Sequence, residues 1–185
     1  MRSKIFRAIL LSLLFPLCHG QSPTDGRVLG NAYVNSYFRL SYEWPKTLKP
    51  YDTKSLNLPQ SSPYASEFLL FSARQEDAPF GVIVFAEKLN VPTAHSTGIK
   101  DGTDFLDRAI QALRPSGKPK ILSRTHLTNA NGRVFEVLDY LIDGEYTSGI
   151  VTQVGQYLIV FKCNAKSVAD LSEMNNSAFA LSAIK

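Results

Sequence analysis

A cysteine and a histidine are the residues of this chain best suited to nucleophilic catalysis. A reactive thiol needs a lowered pKa and a base within hydrogen-bond reach, and Cys163 with His126 could supply the two groups. Cys163, however, ends an apolar run with the pattern of a strand, where a free cysteine is usually a small core residue. The sequence therefore favours a structural role for Cys163.

A histidine followed by three aspartates offers a second kind of chemistry, the binding of a metal ion. Asp101, Asp104 and Asp107 come soon after His95, and the run Asp-Gly-Thr-Asp resembles part of a calcium loop. The run lacks the alternating oxygen ligands and the terminal glutamate of an EF-hand. Because aspartates at a helix start also cap the helix, capping is the simpler interpretation.

Other catalytic signatures do not occur in this sequence. Gly-x-Ser-x-Gly, Cys-x-x-Cys and a glycine-rich phosphate loop are missing. Ser148 lies inside a predicted strand, and Asp139 and Asp143 are separated along a strand and its turn. We therefore predict no catalytic, cofactor-binding or metal-binding residue and no cofactor.

The elements that must position these residues are clearest in the second half of the chain. Strand-like runs cover residues 120–127, 133–142, 145–154 and 156–163. Asn-Gly, Asp-Gly and a single glycine separate them and supply the positive φ values that tight hairpins require. This pattern predicts an antiparallel meander. The last run is apolar on both faces, which predicts covering layers above and below the sheet.

The first half of the chain adds further strands and a helix. Residues 38–44 alternate, which predicts a strand that buries Phe38, Leu40, Tyr42 and Trp44, and this aromatic stripe is more typical of a core than of a ligand platform. Further strands are predicted at residues 32–34, 67–73 and 80–87. Apolar spacing predicts helices over residues 103–113 and from Ser167 to Leu181.

A long connection joins the predicted strands at residues 46–66. It contains three prolines and has no helical stripe, and long loops are often functional. Tyr51 and Tyr64 are therefore predicted as contacts to a partner. The same segment could equally cover a sheet edge.

The N-terminus has the features of a secretory signal peptide over residues 1–20. A cationic start precedes a short apolar stretch, and small residues precede a predicted cut between Gly20 and Gln21. The apolar stretch is too short to span a bilayer, and no second run of 18 apolar residues follows, so no transmembrane segment is expected in the mature chain. The protein is predicted to be exported and to be periplasmic or secreted.

Anchoring through Cys18 is the alternative use of this leader. A bacterial lipoprotein signal places small residues before its cysteine, and Leu17 and Pro16 fit that requirement poorly. Soluble export is therefore favoured. Cleavage after Gly20 would leave Cys163 as the only cysteine of the mature chain, and no intrachain disulfide could form.

Composition and charge point to a globular protein that does not bind nucleic acid. The chain has 185 residues, of which 44% are apolar and 19% are charged, which is ordinary for a folded domain. Its formal charge is +4, but loss of the leader removes three basic residues and leaves a net charge of +1 without a basic cluster. We predict a polar, flexible tether over residues 21–30 and a single domain over residues 31–185.

Two segments of the chain resemble PsbP-like domains. The first runs from Tyr33 through Asn-Ser-Tyr-Phe and an alternating strand to Pro45, and the second is Gly155-Gln-Tyr-Leu-Ile-Val-Phe161 followed by a helix that begins at a serine. The order of elements fits over about residues 32–184. The sequence departs from the pattern at Lys46-Thr47-Leu48, where many relatives have Gly-Trp.

The resemblance implies an α+β fold, an antiparallel β-sheet with helices on both faces, called an α/β/α sandwich. Members of this group include a photosynthetic accessory protein and a nuclear-transport cofactor that binds a small GTPase, so the resemblance implies adaptor or assembly roles. We therefore expect an exported, soluble, non-enzymatic binding or assembly module whose partner is a protein or small ligand of the cell envelope. The alternative is a small cell-envelope hydrolase or metal-dependent enzyme that uses His126 or His95.

Overall fold

The computed structural model describes residues 22–51, 67–76, 78, 80–92, 98–113 and 118–184. In chain order they form β1 (Gly26–Leu29), β2 (Ala32–Asn35), β3 (Leu40–Glu43), β4 (Lys49–Pro50), β5 (Glu67–Arg74), β6 (Gly81–Lys88), α1 (Gly102–Leu113), β7 (Lys120–Thr128), β8 (Val134–Ile142), β9 (Glu145–Val154), β10 (Tyr157–Ala165), α2 (Val168–Phe179) and β11 (Ser182–Ala183).

The predicted meander forms one half of a large antiparallel sheet. Its strand order is β4-β5-β6-β10-β9-β8-β7, and each neighbouring pair is antiparallel. The β8–β9 hairpin turns through Asp143 and Gly144, with φ values of 52° and 82°. An Asp-Gly pair reaches these left-handed conformations at low cost, so it fixes the register of the hairpin.

A second, smaller sheet has the order β1-β2-β3-β11, and both of its outer strands differ from the sequence prediction. Residues 21–30 were expected to form a flexible tether, but Gly26–Leu29 pairs with Ala32–Asn35. The final helix was expected to continue to Leu181, but it ends at Phe179 and the chain then pairs with β3. In both places backbone pairing decides the conformation of a segment that has no alternating pattern of its own.

A side chain controls the turn between β2 and β3. The fully buried Asn35 accepts the N–H of Phe38 at 3.0 Å through its Oδ1 and donates to the carbonyl of Pro23 at 2.8 Å through its Nδ2. Arg39 takes a φ of 52° in this turn. The strand therefore begins at Leu40, two residues later than the alternation predicts, although Phe38 is still buried.

The core has two parts, which lie on opposite faces of the large sheet. Tyr157, Ile159 and Phe161 belong to a cluster that includes α2 and the small sheet, whereas Leu158 and Val160 belong to a cluster that includes α1. Successive residues of a strand point to opposite faces. The prediction that β10 is covered on both faces is therefore confirmed, as is an α+β fold built mainly from antiparallel sheet.

Aromatic residues fill the space between the two sheets. Tyr42 packs edge-on against Phe161 with ring centroids 5.1 Å apart, and Trp44 stacks on Phe71 at 4.7 Å. Both Tyr42 and Trp44 are buried. The prediction that this stripe belongs to the core is confirmed.

Both helices begin at capping residues that the sequence predicts. Asp101 accepts the N–H of Asp104 at 2.8 Å, and Ser167 accepts the N–H of Asp170 at 3.2 Å. Each bond satisfies one of the free N–H groups of a first turn. Among the described residues, neither helix combines the length and the apolar character needed to cross a bilayer.

Candidate functional site

Cys163 is sealed within the core. Its side chain is fully buried on β10. Burial, with a smaller contribution from the charge of Asp139, raises the pKa of the thiol to about 12. A nucleophilic cysteine needs the opposite shift and access to substrate. The interpretation of Cys163 as a core residue is therefore supported by its burial and its chemistry.

His126 cannot serve as the base for this thiol. Strand pairing aligns His126 with Glu136, Val151 and then Val160 across the large sheet. Cys163 is three residues further along β10, so the two side chains point to opposite faces. Three strand spacings and three residues also separate their backbones by about 17 Å. His126 itself is exposed on β7.

The three aspartates near α1 make structural bonds. Besides the cap formed by Asp101, Asp104 accepts from Arg108 at 2.9 Å and from the N–H of Lys100 at 3.0 Å. These bonds hold the pKa of Asp104 below its usual range, that of Arg108 contributing most. Asp107 pairs with Arg124 at 2.7 Å. The described residues contain no group of three or more potential metal ligands, and His95 lies outside them.

Two of the remaining hydroxyl and carboxyl candidates lie side by side, because Asp139 on β8 is the direct partner of Ser148 on β9, and Ser148 is in turn the partner of Cys163 on β10. Ser148 is fully buried within β9, and its hydroxyl has no partner among the described residues. Asp139 accepts a hydrogen bond from Ser123 at 2.7 Å. Asp143 lies in the β8–β9 turn. The exposed His126 is aligned with Glu136 and Val151 across the sheet, and not with Asp139 or Ser148.

Only one of the two tyrosines predicted as partner contacts lies in the described residues. The guanidinium of Arg74 covers the ring of Tyr51 at 3.8 Å from its centroid, and the backbone of Tyr51 donates to Ser72. Tyr64, the predicted cut between Gly20 and Gln21, and Cys18 lie outside the described residues. A contact role for both tyrosines stays a prediction.

A cleft of about 450 Å³ opens where the end of the large sheet meets the C-terminal segment. It lies between the β7–β8 turn, the end of β9 and the chain that follows α2. We call it the Arg133 cleft. Its lining residues are Asn131, Gly132, Arg133, Val134, Thr152, Gln153, Val154, Leu181 and Ala183.

Asn129 holds the walls of the Arg133 cleft together. Its side-chain oxygen accepts the N–H groups of Asn131 and Arg133, each at 3.0 Å, which shapes the β7–β8 turn. Its amide nitrogen donates to the carbonyl of Phe179 at 3.0 Å, at the end of α2. Below the turn, Phe135 packs edge-on against Phe179, with centroids 5.6 Å apart. The turn and the C-terminal segment are thus fixed to each other.

Arg133 is the charged group of the cleft. Its side chain is half-buried, and burial lowers the pKa of its guanidinium. Within the part of the chain that the structure describes, its side chain makes no ion pair or hydrogen bond, and the cleft lining includes no acidic residue. A guanidinium that has lost water without gaining an anion favours the approach of a carboxylate or phosphate.

Apolar residues also line the cleft. Val134 is 56% exposed, whereas Leu181 is buried and Val154 packs against the core. Sequence reasoning did not single out Arg133. The only local signal is an arginine directly after an Asn-Gly turn, because Leu181 and Ala183 are far from it in sequence.

Comparison with known proteins shows what the chain is similar to. No family model and no curated protein sequence matches it. Among solved structures, it is similar to the solution structure of cyanobacterial PsbP (CyanoP) from Synechocystis sp. PCC 6803, with 14% identity and a TM-score of 0.57. The match covers 91% of this chain and 98% of that chain. The fold is therefore PsbP-like, as the sequence resemblance implied, and at this identity the likeness concerns the fold alone.

Proposed function

We propose that the mature protein is an exported, non-enzymatic binding or assembly module folded as a PsbP-like α/β/α sandwich. The likeness to CyanoP supports the fold. The separate packing of α1 and α2 residues on the two faces of the large sheet supports the layered arrangement. Fold alone does not determine function, so the argument for binding depends on the site.

The observation that carries this proposal is the Arg133 cleft. The reactive thiol is buried with a raised pKa, while a half-buried cation without a protein partner among the described residues lines an open, partly apolar cavity. The volume of the cleft falls in the range of small-molecule binding sites, and its lining is mixed, with polar residues beside Val134. The molecule is therefore better prepared to hold a ligand than to transform one.

Export is the second part of the proposal, and it depends on the leader at residues 1–20. The cationic start, the short apolar stretch and the small residues before Gln21 favour cleavage by a signal peptidase. The mature protein would then be periplasmic or secreted.

Native mass spectrometry of the exported protein tests both parts. The full chain, with its own leader, is produced in a bacterial host and purified from the envelope or the medium under gentle conditions. We expect a polypeptide that begins at Gln21 and retains a non-covalent ligand or partner, which is lost on denaturation. A chain that retains nothing, and that hydrolyses ester or phosphoester substrates only while His126 is intact, would contradict the proposal in favour of the enzyme alternative.

A further inference from the structure

We infer that the Arg133 cleft binds a small amphiphilic anion, with a carboxylate or phosphate head on Arg133 and a short apolar tail against the exposed side chain of Val134. This inference rests on the proposed binding function and names the chemistry of its ligand. The inference depends on three features of the cleft: the charge of Arg133, the exposed apolar side chain of Val134 and the fixed position of the β7–β8 turn.

The charge of the cleft selects an anion. Arg133 is half-buried and carries no ion pair within the described chain, and none of the residues lining the cleft is acidic. A guanidinium presents a planar fork of donors that matches the two oxygens of a carboxylate or a phosphate. An anionic head would therefore replace the water that Arg133 has lost. A neutral or cationic head group would not form this charge-assisted hydrogen bond with Arg133.

The wall of the cleft selects an apolar tail. Leu181 is buried and Val154 packs against the core, so these two residues offer a ligand little surface, and the apolar contact falls mainly on Val134. Val134 alone is 56% exposed, and its coverage by a tail would remove apolar area from water. A volume of about 450 Å³ can hold a ligand of this kind. A free inorganic anion would leave the wall exposed and should bind more weakly.

The rigidity of the cleft reduces the cost of binding. Asn129 fixes the turn that carries Arg133 and ties it to the end of α2. A site that is already formed loses little conformational freedom when the ligand enters. The head and the tail contacts are thus present together before the ligand arrives.

Nuclear magnetic resonance titration of the mature chain, residues 21–185, tests the inference. The probes are octanoate and octyl phosphate, with octanol and octyltrimethylammonium as controls that share the tail, all below their micelle concentrations. We expect both anions to shift the backbone amide signals of residues 131–134, 152–154 and 181–183, and the two controls to leave them nearly unchanged. The relative affinity of the two anions distinguishes a carboxylate ligand from a phosphate ligand.

Two sets of variants assign the binding to Arg133. Arg133→Met keeps an unbranched apolar stem and removes the guanidinium, and loss of a charge-assisted bond of this kind predicts at least about a tenfold rise in Kd. Arg27→Met is the matched control, since Arg27 is exposed on β1 and is not part of the cleft lining. Val134→Glu should weaken binding by placing a carboxylate beside Arg133, whereas Val134→Gln should not.

The Val134 pair also keeps the test decisive if Arg133→Met fails to fold, because Val134 is exposed. Equal shifts from octanoate and octanol, or an unchanged Kd in Arg133→Met or Val134→Glu, would overturn the inference. Its failure is distinguishable from failure of the proposed function. A ligand retained by the exported protein in native mass spectrometry, but insensitive to Arg133→Met, would preserve the binding function and reject only this ligand chemistry.

Discussion

Cys163 provides a test of the packing of the large sheet through the dependence of stability on pH. Burial raises the pKa of its thiol from the ordinary value of 9.0 to about 12. The folded state therefore keeps the proton at a pH where the unfolded state releases it. Because the folded pKa is the higher one, the stabilisation is fully present below pH 9 and is lost as the pH rises towards 12.

The size of this loss follows from proton linkage. Between the two pKa values, each step of one pH unit removes up to about 1.4 kcal/mol from the free energy of unfolding. For the values of Cys163, the loss between pH 7 and pH 10 is about 1.4 kcal/mol, and it continues above pH 10. Tyr42 and Tyr157, whose pKa values are also raised by burial, add a loss that begins at higher pH.

The matched variant is Cys163→Ala, which removes the thiol and leaves both tyrosines. Urea denaturation of the two mature chains at pH 7 and at pH 10 measures the difference. At pH 7 the variant should be less stable by about 1–2 kcal/mol, because a small buried side chain is lost. At pH 10 that gap should close by about 1.4 kcal/mol, since only the wild type carries the linkage cost.

A gap that stays constant between pH 7 and pH 10 would refute this account of the thiol. Rapid reaction of the folded wild type with a thiol reagent such as iodoacetamide at pH 8 would also refute it, because a buried, protonated thiol reacts only after the chain opens. The measurement also bears on function. A reactive Cys163 would support the hypothesis that this cysteine is a catalytic nucleophile. An unreactive Cys163 would leave the Arg133 cleft as the candidate functional site.

Three further substitutions test how the layers and the cleft are held. Gly149→Ala should cost about 1 kcal/mol or less in thermal or urea unfolding, because the new Cβ would lie 2.9 Å from Cδ2 of Leu106, the end of a side chain that can shift; a much larger loss would mean that Leu106 has no room to move against the sheet. Ser167→Ala should cost about 1 kcal/mol through loss of the α2 cap, measured against Ser167→Thr, which keeps the hydroxyl that bonds both the N–H and the carboxylate of Asp170 and should retain most of the stability. Asn129→Ala should lower stability by about 1–3 kcal/mol and also weaken octanoate binding, and normal affinity in a folded variant would show that the turn does not position Arg133.

Periodicity and turn chemistry were sufficient to predict the meander of the large sheet, but not its edge strand β4, which lies within the predicted connection at residues 46–66. The Asp-Gly and Asn-Gly pairs mark hairpins whose geometry few other residues adopt, and the doubly apolar β10 requires cover on both faces. Both signals are local and strong. They predicted the meander, the two helices and the buried aromatic stripe to within a few residues.

The small sheet was harder to predict because its outer strands have weak local patterns. Gly26–Leu29 is partly buried only at its first residue, and Ser182–Ala183 is two residues long. Neither segment shows the alternation of a half-buried strand. Their conformation comes from pairing with β2 and β3, which the sequence alone does not locate.

The Arg133 cleft could not be predicted from the sequence, for a related reason. Arg133 has an ordinary position after a turn, and its unusual surroundings arise from Leu181 and Ala183, about fifty residues away. Those residues reach the cleft because α2 ends at Phe179 and the chain turns to pair with β3. If α2 continued to Leu181, as the apolar stripe indicates, the residues that follow Phe179 would not line the cleft.

The same arrangement is the reason that we place the proposed binding site at this edge of the molecule and not at the candidate catalytic residues. Between the two helices and the sheets, the thiol and the buried hydroxyl of Ser148 are enclosed, where an ionised group is costly. At the end of the large sheet, the Arg133 cleft lies between the β7–β8 turn and the C-terminal segment that pairs with β3. A long cationic side chain at this place can keep its charge and lose part of its hydration, and its guanidinium can still contact a ligand. Arg133, which is half-buried and lines the cleft next to Val134, has this position.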